Sequence, residues 1–130
     1  MQIPEFVPKA VVLAIHQRQV EKFGGLDGIR DEGLLDSALA QPQATFFEEL
    51  LHPTISTQAA AYLYHLAKNH PFLDGNKRTA FATTIAFLRI NGYELSMSEE
   101  AAYNMVMQVA QGEISKEELA QILEQHLRSQ

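Results

Sequence analysis

The 130-residue sequence predicts an all-α fold, a bundle around a central buried helix with at most one small β-hairpin. Three observations predict it. No long stretch alternates apolar and polar residues as a sheet strand would. Residues 54–69 and 76–92 are dense in strong helix formers. Capping and stopping residues divide the remainder into helix-length pieces, about five to seven in all.

Taken in order, Pro8 suits the first turn of a helix running to about Phe23, with Val11, Val12, Ile15 and Val20 as its apolar positions. The Gly24-Gly25 pair stops it. Asp31 is placed to N-cap a short helix carrying Leu34, Leu35, Ala38 and Leu39, which Pro42 ends. The segment "QATFFEELLHPT" reads equally as a short hairpin, a loop or a helical turn. "STQAAAYLYHLAKN" puts Ala60, Leu63, Tyr64 and Ala67 on one helical face and ends near Asn69, because Pro71 biases His70 away from helical geometry. The next helix opens near Asn76 and runs to Gly92. Its Ala80, Phe81, Ile85, Ala86, Leu88 and Ile90 make it apolar on nearly all sides, the mark of a central helix. Ser96 or Ser98 caps a further helix to about Gln111. Ser115 and Glu118 form a capping box that opens the last one, with Leu119, Ile122, Leu123 and Leu127 on its apolar face.

Composition narrows the function classes. A chain of this length reads as one domain, residues 1–130, with 46% apolar and 20% charged residues. It has no cysteine, which excludes disulfides, thiolate metal sites and cysteine nucleophiles. The run "AVVLAI" is too short for a membrane span or a signal-peptide core, so a cytoplasmic location is expected. The net charge of −6 is unevenly spread. Residues 53–92 carry Lys68, Lys77, Arg78 and Arg89 against the single carboxylate Asp74, while the rest of the chain is acidic. General nucleic-acid binding needs a wide basic face, which is missing. A small cationic island suits a local anion better.

That island centres on "NHPFLDGNKRTAF", residues 69–81. A helix start carries unpaired N–H groups and partial positive charge, so acidic side chains are favoured there. Lys77 and Arg78 instead place two cations in the first turn, at about 0.3–1 kcal/mol each if nothing compensates. A bound anion would compensate both and satisfy the bare amides, as phosphates do at other helix starts. Gly75 would let backbone approach such a ligand closely. His70 would serve as a general base, and Asp74 as an oxygen ligand for magnesium beside a polyphosphate. The bland reading stands beside this one. A histidine before proline is often a cap or a packed loop residue, and an aspartate before Gly-Asn often bonds its own backbone.

The residues carry more than generic physics. "HPFLDGNKRTA" resembles the signature of the Fic/Doc family, whose Fic branch reads H-x-F-x-[D/E]-G-N-G-R-x-x-R. His70, Phe72, Asp74, Gly75, Asn76 and Arg78 match it in place. Lys77 replaces the second glycine and Phe81 the final arginine, and both departures are shared with the Doc (death-on-curing) branch. The resemblance continues through "FGGLDGIRDEGLLDSALAQPQATF" upstream and "FLRINGYEL" downstream.

The resemblance implies an all-α Fic fold that binds a nucleotide at the signature loop and the helix start behind it. It implies His70 as base, Asp74 as magnesium ligand, and Asn76 with neighbouring backbone, including Gly75, as an anion hole. Lys77 and Arg78 would contact phosphates, and Phe72 would anchor the loop in the core. Doc members are toxins of toxin–antitoxin pairs that phosphorylate a threonine of elongation factor Tu and halt translation. Fic members transfer AMP to protein hydroxyls. Lysine in place of glycine at 77, and loss of arginine at 81, point toward transfer of the γ-phosphoryl group of ATP. AMP transfer is the alternative, and a catalytically silent protein-binding module the second.

In the family, target segments add a strand beside a flap ahead of the motif helix. "ATFFEELLHP" is the matching stretch, with Thr45, Phe46 and Phe47 as candidate docking residues, although a surface loop with aromatic anchors fits it as well. The family's inhibitory [S/T]-x-x-x-E-[G/N] pattern is not completed by Thr45 and Glu49 or by Ser96 and Glu100, which Leu50 and Ala101 follow. Inhibition would then come from a separate antitoxin whose disordered tail folds on binding.

The other candidates are weaker. Glu49 and His52 have the E-x-x-H spacing of helical metal sites, but no second copy exists. His65 and His16 read as satisfied core histidines, His126 as solvent-exposed. Neither G-x-x-x-x-G-K-[S/T] nor G-x-G-x-x-G occurs.

Overall fold

A computed structural model describes residues 3–130. Helix α1 (Lys9–Phe23) starts after Pro8 and ends at Gly24, whose φ of 83° breaks the helical path. Helix α2 (Glu32–Ala40) is capped by Asp31, whose carboxylate accepts the Leu34 amide at 3.0 Å. A single 3-10 turn (Gln41–Gln43) carries Pro42 and leads into the strands β1 (Thr45–Phe46) and β2 (Glu49–Leu50). Helix α3 (Ile55–Asn69) opens on a reciprocal Thr54–Thr57 capping box. After it come α4 (Asn76–Ile90), β3 (Tyr93–Leu95), α5 (Glu99–Ala110), α6 (Lys116–His126) and β4 (Leu127–Ser129). The architecture is all-α with two small antiparallel strand pairs.

The core sits around α3. Its residues Ala59, Ala60, Ala61, Tyr62, Leu63, Leu66 and Ala67 are all buried, and α2, α4, α5 and α6 pack around it. The Tyr62 hydroxyl reaches out of this core to accept the Val7 amide at 2.8 Å, which satisfies the one polar atom the ring brings in. Helix α4 buries Ala80, Phe87 and Leu88, but Phe81, Ala82, Ile85 and Ala86 stay half-covered and Ile90 is largely exposed. Its all-round apolar character therefore serves two neighbours, α3 behind and α1 in front.

Of the three conformations open to residues 44–53, the chain adopts the hairpin. Thr45 pairs with Leu50 and Phe46 with Glu49. The two connecting residues, Phe47 and Glu48, have φ of 50° and 68°, the type I′ arrangement usually given to Asn-Gly. The second pair is not a hairpin. Strand β3 meets β4 across the last two helices, with Tyr93 opposite Ser129 and Leu95 opposite Leu127. Leu127 thus leaves the last helix, where its spacing had placed it. The free edge of β3 offers backbone partners that a frayed helix end lacks: His126 O accepts the Ser96 amide and Gly92 O the Gln130 amide. Among the described residues, no helix is long and apolar enough to cross a membrane.

Candidate active site

Helix α3 ends on His70, in the left-handed conformation at φ 49°, ψ 54°. Pro71 cannot continue the helix, and the turn throws the imidazole outward, where it is exposed. A non-glycine residue in this conformation costs about 1–2 kcal/mol. Contacts from the segment after α1 hold it. The Arg30 side chain donates from Nε to His70 O at 2.7 Å and from Nη2 to Asn69 O at 3.0 Å. The Arg30 and Asp31 amides both donate to Pro71 O.

Phe72 then dives into the core, 1% exposed, and forms a single antiparallel bridge with Ile29. Asn76, the first residue of α4, closes the loop from below. Its side-chain oxygen accepts the Phe72 amide at 2.9 Å, and its nitrogen donates to Phe72 O at 3.0 Å. The same nitrogen lies 3.3 Å from His70 Nδ1, a long contact that orients the ring without locking its tautomer. The Asn76 side chain is therefore spent on the loop, and an anion at this position would meet its backbone N–H.

Asp74 and Gly75 form the far end of the loop. The Asp74 carboxylate accepts the Leu26 amide at 2.7 Å through one oxygen. Its other oxygen receives no hydrogen bond among the described residues. Gly75, at φ 77°, is the N-cap of α4 and supplies no side chain to it. Beneath both lies His16, 3% exposed, which stacks on the Phe72 ring at 3.8 Å and donates from Nε2 to Asp74 O at 2.8 Å. Its other nitrogen faces the Asp27 carboxylate at 3.8 Å.

This end of the loop suits magnesium in one manner only. No group of three or more metal-ligating side chains exists among the described residues, so no all-protein cage is available. A single half-buried carboxylate with one free oxygen fits an ion whose remaining ligands are water and phosphate oxygens, which is magnesium's habit at nucleotide sites.

The start of α4 has no side-chain cap and no acidic residue in its first turn. Lys77 and Arg78 are exposed there, and neither is in an ion pair among the described residues. Arg78 lies over the Phe23 ring at 4.3 Å, which holds its guanidinium beside the loop. Lys77 faces a cleft of about 690 Å³ between α4 and α5, floored by Gly75 and Asn76 and walled by Phe81, Tyr103 and Met107. One open space thus brings together bare amides, two cations, the Glu99 carboxylate and an apolar wall, while His70 and Asp74 lie outside its lining.

The docking candidates lie apart on the hairpin, where Phe46 is 63% and Phe47 86% exposed and their rings meet edge to face. The remaining histidines have structural surroundings. His65 accepts from Lys116 Nζ at 3.2 Å, and burial with that neighbouring cation lowers its pKa to about 4. Burial, reinforced by Lys116, lowers that of His52. His126 is half-buried and bonds Ile122 O through Nδ1 at 2.8 Å, not simply exposed.

Arg30, Leu26 and the bracing role of His16 escaped the sequence reading, because their partners, the His70 carbonyl, the Asp74 carboxylate and the Asp74 carbonyl, lie 40, 48 and 58 residues away. The only available signal was the glycine pair. At Gly25, φ 110°, a Cβ would meet the Asp74 side chain at 3.0 Å, so glycine lets residues 24–31 close on the loop as a strap.

Comparison with known proteins gives the family. The model of the Fic/DOC family matches residues 6–88, a span that takes in the strap, the hairpin, the loop and most of α4. The chain is 51% identical to "Toxin Doc" of Mycolicibacterium smegmatis over 74 residues, 57% of each chain. It is 34% identical to "Protein kinase doc" of Escherichia phage P1 over 113 residues, 86% of this chain and 87% of that one. With its signature loop assembled from His70 to Arg78 and these Doc proteins as relatives, the chain belongs to the Fic/DOC family, on its Doc branch.

Proposed function

We propose that the protein is a Doc-type toxin that transfers the γ-phosphoryl group of ATP to a protein hydroxyl, a threonine of elongation factor Tu being the expected acceptor. One relative is named a toxin and the other a protein kinase. The observation that carries the reading is the start of α4: uncapped, flanked by Lys77 and Arg78, and one short loop away from an exposed His70. Phosphoryl transfer needs little covalent chemistry from the protein and much placement and charge stabilisation, which is what these groups offer.

His70 takes the proton of the acceptor hydroxyl through its unprotonated ring nitrogen as the oxygen attacks the γ-phosphorus. The new O–P bond forms while the bond to the β-phosphate bridging oxygen breaks, leaving a phosphoester and ADP. The backbone N–H groups at Asn76 and Lys77 face the phosphate oxygens, and the Lys77 and Arg78 side chains balance their charge. Asp74 presents one free carboxylate oxygen for magnesium, which when bound supplies neutralisation of the phosphate charge. Lys77 occupies the place where AMP-transferring relatives have glycine, which favours a pose that presents the γ-phosphorus. The acceptor segment docks along the hairpin, with Phe46 and Phe47 as its apolar hold. Because neither candidate inhibitory motif is complete in the chain, a separate antitoxin is its expected partner.

The test is transfer of label. Incubated with elongation factor Tu, magnesium and ATP, the protein should pass on γ-label and no α-label, and His70→Ala should pass on none. Label from the α position would replace the kinase reading with AMP transfer. Absence of both would leave a binding module.

A further inference from the structure

Two side chains outside the signature hold the backbone of the loop, one at each end. Arg30 spans the last two carbonyls of α3 with two parallel hydrogen bonds, to His70 O and Asn69 O. Those carbonyls have no helical partner, and the guanidinium also meets the negative end of the helix dipole. His16 does the corresponding work at the other end. Its Nε2–H reaches Asp74 O at 2.8 Å, and its ring lies flat on Phe72, 8° from parallel. The ring lies directly against the loop: a Cβ at Gly75 would meet it at 3.7 Å, ordinary van der Waals contact. A buried imidazole with a polar atom directed at a loop carbonyl, against the anchor of that loop, does more than fill space.

We propose that His16 and Arg30 are positioning residues that together set the imidazole of His70 against the carboxylate of Asp74. Arg30 keeps His70 in its left-handed turn and so aims the base. His16 keeps the Asp74 peptide in place and so aims the free carboxylate oxygen. The inference rests on the reading of His70 as base and Asp74 as magnesium ligand. The two ends have separable signatures, which a general packing role would not produce.

The experiment uses the full chain and the variants Arg30→Met, His16→Phe and His16→Gln. His16→Phe keeps the ring stack and removes the donor, and His16→Gln returns an N–H at similar reach. All three should fold, judged by helix content and Tm. Arg30→Met should lower kcat about 100-fold with little change in half-saturation by ATP or magnesium, as expected of a misplaced base. His16→Phe should raise the half-saturating magnesium concentration about tenfold, the usual scale for losing a group that orients a metal ligand, and His16→Gln should recover most of it. Amide NMR spectra of the protein alone provide a readout without turnover. Arg30→Met should move the signals of residues 69–72, and His16→Phe those of residues 74–77.

Folded variants with wild-type kcat, magnesium dependence and loop signals would overturn the proposal. So would a uniform loss of active protein with both constants unchanged. If the wild-type protein transferred no label, the reading of the reaction would fail, and the NMR shifts alone would decide whether these residues hold the loop.

Discussion

Two α-helix starts among the described residues lack a side-chain cap, and they are treated in opposite ways. Helix α1 begins with Lys9 in its first turn, an unfavourable charge for that place. The fold answers with protein: Lys9 Nζ lies 2.6 Å from Glu32 and 2.7 Å from Asp36, both on α2. Helix α4 begins with Lys77 and Arg78, and no carboxylate pairs with either among the described residues. Helices α2, α3, α5 and α6 all have a capping hydroxyl or carboxylate, and three of them add acidic first turns. The chain has the means to neutralise a helix start and uses them everywhere except beside His70. That is the pattern expected where the compensating charge arrives with a ligand.

Four outcomes would break or sharpen this comparison, in descending order of effect. Converting the α4 start to the ordinary kind, by Lys77→Glu with Arg78→Glu, should weaken ATP binding at least about 100-fold, since hydrogen bonds to charged groups contribute about 1.5–3 kcal/mol each. Calorimetric titration measures it. The same pair should leave the fold no less stable, because each acidic residue gains about 0.3–1 kcal/mol from the helix dipole. Loss of function with a raised Tm would mark the site as strained for use, whereas loss of both would mean that the cations support the fold.

Ser115→Ala, at a capped start remote from the loop, should cost about 1 kcal/mol in urea denaturation and leave transfer unchanged. Stability should also fall as the pH drops from about 6.5 toward 4. His65 stays neutral in the fold down to about pH 4 while the unfolded chain takes up its proton near 6.5, so protons favour the unfolded state across that window. His65→Gln should flatten the slope. Smallest of all, Lys9→Ala should lower Tm only slightly, its bridges being at the surface, with transfer intact.

The helices were legible because their signals are local. Asp31, Thr54, Ser98 and Ser115 cap the starts that sequence reading assigned or allowed, and Gly24 ends the first helix. The signature loop was legible because its residues are contiguous. The strand β4 was not, since three residues at the end of a helix carry no period of their own and pair with a segment beyond two helices. The hairpin turn was hidden for a different reason. Phe47 and Glu48 are poor choices for two positive φ angles, so turn chemistry argued against the conformation adopted. Backbone strain of this kind, on an exposed aromatic tip, is more often retained for contact than for stability. Arg30 and His16 escaped because a hydrogen bond to a distant carbonyl leaves no trace in residue spacing.

The strap formed by residues 24–31 has a consequence for how the molecule fails. Its bonds to the loop span 39 to 48 residues and many end on exposed groups, whereas α4 and α6 both pack closely on α3. Regions so loosely tied open at lower free energy than the body that carries them. Rising urea should therefore silence the enzyme while its circular dichroism is still that of the native bundle. Such a molecule could be switched off by prying at residues 24–31, with nothing inserted at the start of α4.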